Sequence, residues 1–69
     1  MVRPITDGNL KSAFAGESQA HMRYGIFSQR ADKKGYSNVA RLFEAIAYAE
    51  RIHASNHYRN IRSEGDALT

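Results

Sequence analysis

The chain has 69 residues, no cysteine and a formal net charge of +3. A chain this short makes one small domain. Without cysteine it has no disulfide to staple it, and none of the thiolates that structural zinc, iron–sulfur or other iron–thiolate centres require. The positive charge is scattered, with Arg3, Lys11, Arg23, Arg30, Arg41, Arg51, Arg59 and Arg62 in no block, which suits solubility and argues against a nucleic-acid surface.

Pro4 lies in a short lead before any helix. Thr6 or Asp7 is the expected N-cap of a first helix, with Gly8 and Asn9 in its first turn. From Leu10 the apolar or small residues recur at three- and four-residue steps as Leu10, Ala13, Phe14, Ala20, Tyr24, Phe27 and Ala31, the mark of an amphipathic helix. Gly16 and Gly25 lower helix propensity by about 1 kcal/mol each, and glycines that persist in a helix often mark close approach by another helix. Lys33 and Lys34 favour the carbonyl end of the helix, and Gly35 can take the left-handed conformation that closes it.

Ser37 is the expected cap of a second helix. Its apolar stripe reads Val39, Leu42, Phe43, Ile46, Ala49, His53, His57 and Ile61, with Glu50 on the same side, and Ser63-Glu64-Gly65-Asp66 reads as an ending. The expectation is one all-α domain over residues 1–69, with helices at about 8–33 and 37–62 joined by a short turn as an antiparallel hairpin. No apolar run approaches the roughly 20 residues that cross a bilayer, and no signal peptide is visible behind Met1. A cytoplasmic protein with no membrane partner is therefore expected.

Glu50 and His53 form a Glu-x-x-His pair, which leaves one face of a helix. Alone this is a weak signal. Glu17, however, lies about 17 residues before the turn and Glu50 about 16 after it, so both stand roughly 25 Å up the hairpin at 1.5 Å per residue. Two carboxylates on a helix–helix seam repel each other unless a cation lies between them. Mixed oxygen and nitrogen donors suit iron, manganese or zinc. Glu44 stands about 240° around the helix from Glu50 and faces elsewhere. His57 is left outside the ligand set as a bundle-end or partly exposed residue, and His21, four residues after Glu17, is left outside it too. The competing readings are an ion pair of Glu17 with Arg23 and a surface pair of Glu50 with His53.

Four-helix carboxylate proteins take one Glu from each of two helices and Glu-x-x-His from each of the other two. Two copies of this hairpin about a two-fold axis supply that full set for two ions. The same pairing covers apolar stripes that two helices cannot enclose. Self-association into a four-helix bundle, as a dimer or a larger homo-oligomer, is thus expected.

The segment Ala13-Phe14-Ala15-Gly16-Glu17-Ser18-Gln19-Ala20, followed by Arg23-Tyr24, resembles the first helix of rubrerythrins. Val39-Ala40-Arg41-Leu42-Phe43 through Ala49-Glu50-Arg51-Ile52-His53-Ala54 resembles their second helix, and Lys34-Gly35-Tyr36 their first turn. The resemblance covers residues 9–62. It implies a ferritin-like bundle with a non-haem di-iron site associated with peroxide reduction. Glu17 would be a terminal ligand, Glu50 a bridging carboxylate, His53 a terminal imidazole and Tyr24 a hydroxyl near the metals.

Two departures matter. The sequence carries two of the family's four bundle helices, and Ala20 stands where a symmetric pairing would need the family's additional carboxylate, which takes part in iron movement during peroxide chemistry. No rubredoxin-like domain is present, so electrons would come from a separate donor protein. Beside a di-iron oxidoreductase, a metal-binding or storage module without turnover and a structural dimerisation hairpin stand as alternatives.

Overall fold

The computed structural model describes residues 6–61. Within them the chain is α1 (Asp7–Lys33) followed by α2 (Ser37–Arg59), packed antiparallel against each other. Thr6 caps α1: its backbone is extended, and its hydroxyl accepts the Asn9 N–H at 3.1 Å. Asp7 in the first turn, with Arg30 and Lys33 in the last, complements the helix dipole.

The turn is built by a Schellman closure. Lys34 is the C-cap and Gly35 follows at φ +83°. The Gly35 N–H bonds to Asp32 O at 3.0 Å and the Tyr36 N–H to Ala31 O at 2.9 Å, which satisfies two otherwise orphaned carbonyls. Tyr36, not Ser37, is the N-cap of α2, and it has no side-chain cap bond. The reason is that Tyr36 serves both helices. Its N–H closes α1 while its carbonyl accepts the first α2 bond, from Ala40 N at 2.9 Å, so α2 starts one residue sooner than a serine cap would allow.

The register is held by two side-chain straps of the same kind. His21 Nδ1 lies 2.7 Å from Ala47 O, and Ser28 Oγ donates to Ala40 O at 2.8 Å. A step of seven residues along α1 matches a step of seven back along α2, which is the coiled-coil repeat. The buried seam of α2 follows that period through Ala40, Ala47 and Ala54, Ile61 just beyond the helix continues it, and Leu10 and Ala31 are the buried residues of α1. Alanines let the two backbones approach closely. Aromatic rings fill the gaps: Phe14 meets Tyr58 at 5.1 Å between centroids, and Phe27 meets Phe43 at 5.4 Å.

The single apolar stripe expected on α2 divides into two. Phe43, His57 and Ile61 join the alanine seam, whereas Val39, Leu42, Ala49 and His53 are exposed. Leu42 is 59 % exposed, so the hairpin does not cover this second stripe. Gly16 and Gly25 do not mark the α1–α2 contact either, since a Cβ at each would meet nothing within 4 Å. Helix α2 stops at Arg59 instead of continuing to residue 62, with the Asn60 and Ile61 N–H groups turning back to His57 O and Tyr58 O. Pro4 and residues 62–66 lie outside the described residues. Among the described residues no helix is long and apolar enough to cross a membrane.

Candidate metal centre

The antiparallel register brings Glu17 of α1 level with Glu50 and His53 of α2. One ligand atom from each of the three lies within 4.8 Å of the others. His53 Nδ1 is 3.6 Å from Glu17 Oε1 and 3.8 Å from Glu50 Oε1. Both separations exceed a hydrogen bond, so the three groups converge without binding one another. The carboxylates are largely covered, at 28 % and 22 % side-chain exposure, while His53 at 53 % stands at the open edge of the cluster.

The chemistry of this donor set fits a divalent transition metal. Two carboxylates and an imidazole share one place, and among the described residues every ion-pair contact of Glu17 and Glu50 is with a histidine, none with Arg23. Glu17 Oε2 is buried and has no hydrogen-bond partner. A buried carboxylate oxygen without a donor is unfavourable unless something positive approaches it. An ion held by Glu17, Glu50 and His53 would bring positive charge to the Glu17 carboxylate through its other oxygen, and hard oxygen with borderline nitrogen donors suits iron, manganese or zinc.

His57 lies beside this cluster, against Glu17, although the spacing argument left it aside. Its Nε2 lies 2.7 Å from Glu17 Oε2. The approach has the length of a hydrogen bond but not the direction of one, which is why Oε2 counts as unpaired. The signal was present in the spacing: His57 follows His53 by four residues and Glu50 by seven, all on one helix face.

Tyr24 does not join the ligands within the chain. Its ring stacks on Phe43 at 6.0 Å and meets Phe27 edge-on at 6.0 Å, and among the described residues its hydroxyl makes no hydrogen bond. His21 is occupied by the strap to Ala47. Glu44 is exposed and lines a separate groove of about 630 Å³ with Gly25, Arg41 and Tyr48.

An all-α hairpin that presents two carboxylates and an imidazole at one height has the pattern of a half-site of the helical carboxylate metal proteins. Comparison with known proteins narrows the class. The family model described as Rubrerythrin matches residues 8–69. Rubrerythrin-2 of Clostridium acetobutylicum is 51 % identical over 60 residues, covering 87 % of this chain and 33 % of that protein. Nigerythrin of Nitratidesulfovibrio vulgaris is 52 % identical over 50 residues, covering 72 % and 25 %. Rubrerythrin of Clostridium perfringens is 39 % identical over 65 residues, covering 91 % and 33 %. The chain belongs to the rubrerythrin family, and it spans about a third or less of these relatives' length. No solved structure matches it at a significant level.

Proposed function

We propose that this chain is a non-haem di-iron protein of the rubrerythrin type that reduces peroxide or dioxygen, with its metal site completed by a second copy of the same hairpin. The observation that carries the reading is the convergence of Glu17, Glu50 and His53 beside an uncovered apolar stripe. Leu42 and His53 are eleven residues apart, about 20° around the helix. The stripe that needs covering and the open edge of the cluster therefore face the same way. One partner hairpin would bury Val39, Leu42 and Ala49 and bring a second Glu17, Glu50 and His53 to the first.

In that assembly the metals would be held by Glu17 of α1 and by Glu50 and His53 of α2 from each copy. Iron would supply redox chemistry there, with electrons drawn from a separate donor protein. Manganese or zinc would fit the same donors, and zinc would supply no redox chemistry. Tyr24 would contribute a hydroxyl near the metals from the aromatic layer below the ligands. A second reading, a metal-binding or storage module without turnover, is favoured by Ala20, which offers no donor where a symmetric pairing would need the family's additional carboxylate.

Metal content and mass, measured together after reconstitution with ferrous iron, test the proposal. About one iron per chain in a dimer is expected, with loss of iron in the Glu50→Ala/His53→Ala variant. Unchanged iron in that variant would rule the site out. Repeated peroxide turnover with an added reductant separates the oxidoreductase from the storage module, which would oxidise its iron once and stop.

A further inference from the structure

We propose that His57 is a positioning residue of the metal centre, holding the Glu17 carboxylate by its outer oxygen so that Oε1 alone is presented to Glu50 and His53. The inference rests on the metal-site reading above and adds a residue to it. The two oxygens of Glu17 have different surroundings. Oε1 looks toward His53 Nδ1 at 3.6 Å, and Oε2 lies 2.7 Å from His57 Nε2. The three converging donors are Glu17, Glu50 and His53, without His57, so His57 stands behind a ligand and not among the ligands.

Oε2 is buried and unbonded, and the nearest group able to donate to it is an imidazole already at hydrogen-bond length. With Nε2–H turned toward the oxygen, the 2.7 Å separation would make a hydrogen bond. That bond would be charge-assisted, and it would leave Glu17 one oxygen to offer. Partners of this kind fix a ligand's orientation, and their loss typically weakens metal affinity by about 10- to 100-fold. His57 is itself one-third exposed, at 32 %, and its place one turn beyond His53 ties it to the same rigid helix.

Cobalt(II) titration of the unaltered chain, His57→Leu and His57→Gln tests this, with helicity followed by circular dichroism. The leucine variant should bind cobalt about 10- to 100-fold more weakly while the intensity and position of the cobalt d–d bands stay as in the unaltered chain. The glutamine variant, whose amide can donate to Oε2, should recover most of the affinity. Equal affinity in the leucine variant would overturn the proposal. So would a changed band intensity, which would make His57 a ligand. Should His57→Leu fail to fold, His57→Gln against His57→Glu carries the same comparison, because a carboxylate cannot donate to Oε2. An unaltered chain that takes up no cobalt would remove the metal centre itself, and with it this role.

Discussion

Replacing Glu17 by glutamine should change stability in opposite directions with and without metal. In the metal-free chain Glu17 Oε2 is buried without a hydrogen bond and its carboxylate shares a cluster with Glu50. An unsatisfied buried acceptor costs about 1–3 kcal/mol. Glutamine keeps the shape and still offers an oxygen to His57, so that cost remains; what it removes is the charge facing Glu50, worth about 1 kcal/mol even at the dielectric of water. In a domain of this size that raises the melting temperature by roughly 4–8 °C.

Metal reverses the order. Free ion at 100 times its dissociation constant stabilises the folded chain by about 2.7 kcal/mol. If the lost ligand weakens binding about a hundredfold, the upper end of what outer-shell partners alone achieve, the same concentration gives the variant only about 0.4 kcal/mol. The loaded unaltered chain then exceeds loaded Glu17→Gln by about 1.3 kcal/mol once the metal-free gain is subtracted. Thermal unfolding by circular dichroism at one protein concentration, with and without cobalt, reads both signs. An equal loss in both conditions would refute the reasoning and make Glu17 a structural partner of His57.

Other substitutions separate the scaffold from the site. Gly35→Ala places a side chain at φ +83° with nothing within 4 Å to gain from, so backbone strain alone should destabilise the hairpin by about 1–2 kcal/mol in chemical denaturation. Ala47→Leu on the seam should cost about 1–3 kcal/mol by overpacking, because Ala47 is 6 % exposed and His21 is strapped to its carbonyl. Leu42→Asp should leave the helicity of the single hairpin unchanged, since Leu42 is 59 % exposed there. If a second copy covers that stripe, sedimentation should show the assembly falling apart.

The sequence made the hairpin readable because its signals were local. Thr6 ahead of Asn9, the lysines before Gly35 and the three- and four-residue steps of apolar residues each act within a turn or two of helix. The level placement of Glu17 and Glu50 followed from rise per residue alone. Three features were not readable. Tyr36 replaced Ser37 as a cap because one residue served two helices, which no single-helix rule anticipates. The stripe on α2 divided because periodicity shows which residues are apolar, not which neighbour covers them. His57 was assigned to the bundle end because its nearest partner, Glu17, comes from the other helix, and their 2.7 Å approach depends on how the helices rotate against each other.

That rotation has a thermodynamic consequence. Glu50 sits between the alanine seam, which faces α1, and the stripe of Leu42, Ala49 and His53, which faces outward. Under the proposed assembly its carboxylate belongs to both boundaries, so metal binding and association of two hairpins cannot be independent. Linkage makes the effect reciprocal: whatever factor metal adds to the association constant, association adds to the metal affinity. Couplings of this kind are typically about 1–3 kcal/mol, or roughly 5- to 150-fold. Sedimentation equilibrium with and without cobalt should therefore show tighter dimers when metal is present. Cobalt titrations at two protein concentrations spanning the dimer dissociation constant should show the higher apparent affinity in the more concentrated sample. A dimer constant indifferent to cobalt would mean that each hairpin holds its ion alone, and the outward stripe would then serve some contact unrelated to the metal.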